Sequence, residues 1–167
     1  MSKYEAIHFV DTEQAVWNYS LFSDEDVHAF QNGTHSTLYQ LFGNKHIEVL
    51  GVHGTYVSVW APNATAVFVT GNFNDWNNEA HPLKVRLEAS GIWEGFIPNV
   101  GQGEVYKYHI HGYKGVLLDK GDPFSNYWEL RPLTASITWD TKYDWKDAKW
   151  LEQRKVSNRT DQPYSVY

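Results

Sequence analysis

The chain has 167 residues, 14 Lys and Arg against 20 Asp and Glu and a formal net charge of -6, enough length for one well-packed domain, and its basic residues are scattered singly, which argues against nucleic acid as a partner. It contains no cysteine, so disulfides, thiolate chemistry and a Cys-based zinc site are excluded. No apolar run approaches the ~18 residues of a membrane span and Met1 to His8 lack the basic and apolar regions of a secretory leader, so no membrane partner and a cytoplasmic location are expected.

Residues 1–44 read as a helical amino-terminal preface. Ser23-Asp24-Glu25-Asp26 offers an N-cap with an acid three residues on, leading into Val27 and Phe30, and Asn32-Gly33 supplies the stop. A second short segment follows through Leu38, Tyr39, Leu41 and Phe42 to Gly43, and the stretch to about Leu50 reads as helix and loop.

From Gly54 the period becomes two. Tyr56, Ser58 and Trp60 alternate with Val57 and Val59, Ala61-Pro62-Asn63 breaks the run, and Val67 to Thr70 starts another. Further strands are predicted at Leu83–Leu87, Ile92–Ile97, Val105–Ile110, Val116–Asp119 and Ala135–Trp139, with turn residues between them and no helical pattern. Trp93 inside one of them reads as core, whereas Trp128 with Arg131-Pro132 reads as an irregular surface segment. Such spacing marks an antiparallel architecture, and the fold class expected is a mainly β, immunoglobulin-like antiparallel β-sandwich over residues 45–141, with short helical segments before and after it. Residues 142–167 carry a helix capped by Asp144, with Trp145, Ala148 and Leu151 at helical spacing, then a linker and an alternating start at Pro163–Tyr167 that reads as a truncated strand.

The eight Trp, eleven Tyr and eight Phe fill a sandwich core or serve as platforms for sugars, so only those on turns or polar strand faces are binding candidates. The foremost is Trp76, within Thr70-Gly71-Asn72-Phe73-Asn74-Asp75-Trp76-Asn77, where Asn, Asp and Gly build a turn and the indole rides on it. Held at the surface, its ring can cover the apolar face of a sugar while its N–H stays wet. In Val105–His111, strand parity puts Tyr106, Tyr108 and Ile110 on the core face and Lys107, His109 and His111 outside. A lone outward lysine is ordinarily only solvated; near Trp76, Lys107 would supply donors to sugar hydroxyls. His109 and His111 form a His-x-His pair without an evident third ligand, so no metal site is claimed. The acids Asp75, Glu94, Glu104, Asp119, Asp122 and Glu129 read as solvated carboxylates, with no pocket expected to raise their pKa, and no motif of nucleophile, phosphate loop or metalloprotease is present. No catalytic residue is assigned.

In order along the chain, Phe30-Gln31-Asn32-Gly33-Thr34-His35, Gly54-Thr55-Tyr56-Val57-Ser58-Val59-Trp60-Ala61-Pro62-Asn63-Ala64, Gly71 to Trp76, His81-Pro82-Leu83, Ser90-Gly91-Ile92-Trp93-Glu94, Tyr106-Lys107-Tyr108 and Asp122-Pro123-Phe124 resemble the amino-terminal region of glycogen and starch 1,4-α-glucan branching enzymes, of the α-amylase superfamily. The resemblance spans nearly the whole chain. It implies that the sandwich is a family-48 carbohydrate-binding module preceding an (α/β)₈ catalytic barrel, with Pro163–Tyr167 opening the first barrel strand. The parent enzyme transfers a segment of an α-1,4 chain to a 6-hydroxyl without metal or organic cofactor, and its catalytic carboxylates lie on the barrel, outside this chain. Glucan-binding members of the module use two Trp, a Lys and an Asn; Trp76 and Lys107 match, while the second Trp falls near Tyr113-Lys114 and the Asn near Ser136. The partners implied are α-glucan chains (glycogen, amylose or amylopectin) and the barrel of the same polypeptide. A stand-alone glucan-binding regulatory module and a structural buttress without a sugar site are the alternatives.

Overall fold

A computed structural model describes residues 11–157; the strand start expected at Pro163–Tyr167 lies outside the described residues. The first helix, α1 (Asp24–Gln31), forms where the cap signals place it. Ser23 Oγ accepts from Asp26 N at 3.2 Å while the Asp26 carboxylate accepts from Ser23 N at 2.9 Å, so two otherwise unpaired N–H groups are satisfied reciprocally. Asn32 caps the far end and Gly33 follows in the left-handed region with φ 67°. A single 3₁₀ turn at Leu38–Gln40 leads to the first strand.

That strand, β1 (Gly43–Val49), was not expected, since the stretch to Leu50 reads as helix and loop. Its polar run Asn44-Lys45-His46 hides the alternation, and it forms because its whole length pairs with β2 (Val52–Trp60), from Gly43 opposite Ser58 to Val49 opposite Val52. The two connecting residues, Leu50 and Gly51, have φ 50° and 80°, the sign pattern of a type I′ hairpin turn.

The remaining strands are β3 (Ala64–Gly71), β4 (Lys84–Val85), β5 (Ile92–Pro98), β6 (Val105–Gly112), β7 (Leu117–Lys120), β8 (Tyr127–Trp128) and β9 (Ser136–Ile137). They make two antiparallel sheets. One has the order β1-β2-β5-β4; the other runs β3-β6-β9-β8, with β7 also paired to β6. Inward residues of both, Val57, Val59, Trp93 and Ile97 from the first and Val67, Val69, Tyr106 and Tyr108 from the second, form the buried core. Trp93 is buried as expected, its indole N–H donating to Ala61 O at 3.1 Å.

The first sheet is covered on both faces. Trp17 exchanges backbone hydrogen bonds with Phe96 at 2.7 and 3.0 Å, extending the sheet beside β4, and Phe22, Val27, Leu41 and Phe42 close over Ile92. Residues 81–85 cross between the sheets: Val69 N bonds His81 O and Leu83 N bonds Val67 O on the β3 edge, then Lys84–Val85 pairs with β5. The crossing cuts the strand expected at Leu83–Leu87 to two residues. Tyr127–Trp128, read as irregular, is held as β8 by its pairing with β9, which itself keeps only Ser136–Ile137 of the expected Ala135–Trp139.

The last helix, α2 (Ala148–Ser157), begins later than the cap expected at Asp144; Leu151 N bonds Asp147 O and no side chain of the helix is buried. Trp145 meets the ring of Tyr143 at 4.9 Å between centroids but is 74 % exposed, so an earlier first turn gains no support from burial. No described helix is long and apolar enough to cross a membrane.

Candidate functional site

β3 ends at Gly71, where a Cβ would collide with the Val105 carbonyl oxygen of the neighbouring β6, so the close approach of the two strands requires glycine. One 3₁₀ turn, Asn72–Asn74, follows. Asn74 clasps it: Oδ1 accepts from Gly71 N at 2.9 Å, while Nδ2 donates to Val69 O at 3.0 Å and to His81 Nδ1 at 2.8 Å. The chain then turns through Asp75 and Trp76 with φ 53° and 59°. Two successive non-glycine residues in this region are costly, and the surrounding hydrogen bonds hold them there.

Trp76 is 42 % exposed, so the indole does sit at the surface. Its N–H, expected to stay wet, instead donates to Asn72 Oδ1 at 3.0 Å, and its backbone N–H donates to Gly71 O at 2.9 Å. The ring is therefore fixed in orientation, and what it offers a ligand is its apolar face. Asn72, Asn74 and His81, which do the fixing, were not singled out from sequence; the density of Asn in Asn72–Asn78 was the only available signal.

Lys107 lies on β6 directly opposite Thr70, one register position from Gly71, where the Trp76 turn begins. Tyr106 and Tyr108 are fully buried, so Lys107 has the outward parity expected and is half-buried. The same outer face carries His109, whose Nδ1 lies 2.7 Å from Asp119 Oδ1, and His111, whose ring centroid is 5.0 Å from that of His109 and 5.1 Å from that of Phe68. Among the described residues no group of three or more His, Asp or Glu is arranged to hold a metal ion. Tyr113 is 62 % exposed on the turn after β6. Ser136 is fully buried and accepts from Asp122 N at 2.8 Å, which withdraws it from the surface.

Two of the six acids overturn the expectation of solvated carboxylates. Glu94 is 5 % exposed and accepts from Tyr56 Oη at 2.5 Å, Ser20 Oγ at 2.9 Å and Arg86 Nη1 at 2.9 Å. Asp122 is completely buried and accepts from Tyr106 Oη at 2.5 Å, Tyr108 Oη at 3.2 Å and Phe124 N at 2.8 Å. Burial pushes both carboxyls up, against the pull of these donors. The tyrosines and Ser20 that enclose them lie 14 to 74 residues away, so neither environment was visible in sequence. The two networks share no partner, and each carboxylate is spent on holding the fold.

The family model of carbohydrate-binding module 48 (isoamylase N-terminal domain) matches residues 41–125, from β1 through the Asp122 turn. The chain is 46 % identical over 146 residues to the 1,4-alpha-glucan branching enzyme of Trichormus variabilis, covering 87 % of this chain and 19 % of that protein. It is 40 % identical over 153 residues to the corresponding enzyme of Aromatoleum aromaticum, covering 92 % and 23 % respectively. The chain thus spans about a fifth of the length of these relatives. Among solved structures, ligand-free PulA of Klebsiella pneumoniae is similar with a TM-score of 0.47 and 22 % identity, over 61 % of this chain and 10 % of that one. With its strands β1 to β7 and the buried Asp122 all inside the matched region, the chain belongs to the carbohydrate-binding module 48 family.

Proposed function

We propose that the chain is the non-catalytic amino-terminal module of a cytoplasmic 1,4-α-glucan branching enzyme, that it contacts α-glucan through Trp76 and Lys107, and that it packs on the catalytic barrel of the same polypeptide. The observation that carries the glucan contact is the Trp76 turn: two left-handed residues and an indole N–H tied to Asn72 present a fixed, exposed ring face beside the outward Lys107 strand. A sugar ring stacks on such a face while an ammonium donates to its hydroxyls. In this reading the module needs no cofactor.

Titration with maltoheptaose, followed by Trp fluorescence and amide NMR, tests it. Binding is expected for the wild-type chain with shifts in the Asn72–Asn77 amides, and those shifts disappear in Trp76→Ala; equal shifts in both proteins would refute the assignment. Incubation with amylose and an iodine readout is expected to show no branching or hydrolysis by this chain.

A second reading, a buttress for the rest of the enzyme, is favoured by the exposed apolar residues of the carboxyl-terminal stretch. Tyr143, Trp145, Trp150 and Val156 are each more than half exposed, an unusual concentration for a solvated segment.

A further inference from the structure

The Trp76 turn is closed by a titratable side chain. Asn74, at its centre, has an orientation that its backbone partners dictate: Oδ1 lies 2.9 Å from Gly71 N, which can only donate, and Nδ2 lies 3.0 Å from Val69 O, which can only accept. It is therefore Nδ2, a donor, that meets His81 Nδ1 at 2.8 Å, and the ring nitrogen must accept. A neutral imidazole has one N–H, so His81 carries its proton on Nε2. The clasp exists only with this tautomer of the neutral ring.

Protonation adds a proton at Nδ1 and sets two donors against each other. Elsewhere an amide could answer by turning over. Here a flip would bring Nδ2 against Gly71 N and Oδ1 against the Val69 carbonyl, exchanging one bad contact for two. Nor can His81 easily retreat: its backbone oxygen accepts from Val69 N at 2.9 Å, and Phe73 stands edge-on to its ring, centroids 5.1 Å apart. The part that yields is the turn, where Asp75 and Trp76 at φ 53° and 59° already store strain comparable to a hydrogen bond.

We propose that His81 is a proton-operated latch: neutral, it holds the turn that presents Trp76; protonated, it releases Asn74, and the indole loses its fixed orientation. The inference rests on the reading of Trp76 as a glucan contact for its consequence alone, a glucan affinity that falls in mild acid. On the neighbouring elements, Lys107, His109 and His111 of β6 lie opposite Thr70, Phe68 and Ala66, with His109 engaged by Asp119 at 2.7 Å, while Asp75, Glu79 and Lys84 on the stretch that carries His81 are exposed. Burial, not a neighbouring charge, pushes His81 below the ordinary histidine value, so the latch opens below pH ~6.5.

Amide NMR of the full chain without ligand, titrated from pH 7 to 5, tests the latch. The Gly71 and Trp76 amides and the Trp76 indole N–H are expected to move with the midpoint of the His81 ring, and to stay still in His81→Gln, whose side-chain oxygen can accept from Asn74 at every pH. Signals that stay still while His81 titrates, or that move equally in His81→Gln, overturn it. Should that variant not fold, long-range ¹H–¹⁵N spectra of wild-type His81 decide: a proton on Nε2 at pH 7 supports the latch, and a proton on Nδ1 overturns it. Maltoheptaose affinity is expected to fall about tenfold for each pH unit below the midpoint in the wild type and to stay level in His81→Gln; a level affinity in the wild type overturns the coupling. A chain that binds no maltoheptaose at pH 7 refutes the glucan contact, and the ligand-free spectra still decide the latch.

Discussion

The two sheets of this sandwich face different surroundings and spend their polar residues differently. On the first sheet the residue 16–42 segment covers the outer face, so Glu94 and Arg86 are enclosed together with Tyr56 and Ser20, and their charges serve each other. On the second sheet the outer face carries Lys107 and His111, both half-buried, and His109, 7 % exposed between Phe68 and Asp119, with the exposed Trp76 turn at its margin. Identical strand parity thus produces an enclosed network on the first sheet and, on the second, a candidate contact surface where Lys107 keeps partial exposure near the exposed Trp76 turn. A charged residue on the outer face of a strand is a ligand candidate only when nothing packs above it.

The largest effect should come from breaking the covered face. Glu94→Ala leaves the Arg86 guanidinium, 7 % exposed, without its buried partner, and is expected to destabilise the chain by about 3–5 kcal/mol in urea unfolding. A loss under about 1 kcal/mol would mean that the ion pair is solvated after all. Next is the clasp beneath the Trp76 site: Asn74→Ala strands Gly71 N and the Val69 carbonyl, at an expected cost of about 1–3 kcal/mol, and abolishes the Trp76-dependent amide shifts. Retained shifts would show that the turn holds Trp76 without its clasp.

A smaller, pH-dependent effect follows from the histidines. Burial holds His46 and His81 below the ordinary histidine value, with Asp140 partly opposing the effect at His46. As pH falls through ~6.5 the unfolded chain takes up these protons while the folded chain does not. Stability should therefore decline from pH 7 towards the lowered folded-state pKa values and level off below them. Protonation of His81 at Nδ1 also opposes the amide donor of Asn74. His81→Gln is expected to flatten the decline of the urea midpoint between pH 7 and 5; an unchanged slope would remove His81 from the account. Smallest of all is Lys107→Ala, expected within about 0.5 kcal/mol of wild type in stability, as for a surface position, while weakening maltoheptaose. If stability fell and binding did not, Lys107 would be a packing residue and the contrast between the faces would blur.

Much of the architecture was legible because it rests on neighbours in sequence. Ser23 and Asp26 are three residues apart and their capping box needs nothing else. Val57 and Val59 alternate with Tyr56 and Ser58 whatever lies above the sheet, so the period of two survived as strand. β1 escaped notice because its pairing with β2, and not its own composition, makes it a strand. At the site, the exposure of Trp76 was readable from the turn residues around it, but the capture of its N–H by Asn72 depends on the left-handed backbone at Asp75 and Trp76, which the residue types permit without requiring.

The amino-acid sequence by itself determined the helix cap, the sandwich class, the strand parity that turns Lys107 outward, and the motifs of the branching-enzyme module, because each is local chemistry repeated along the chain. Only the tertiary structure decided which carboxylates are buried and what the Asn44 amide bonds. Ser20 and Glu94 are 74 residues apart and Trp139 and Asn44 are 95 apart, and the solvation of a charge or the partner of an amide is set by whichever distant segment folding brings against it.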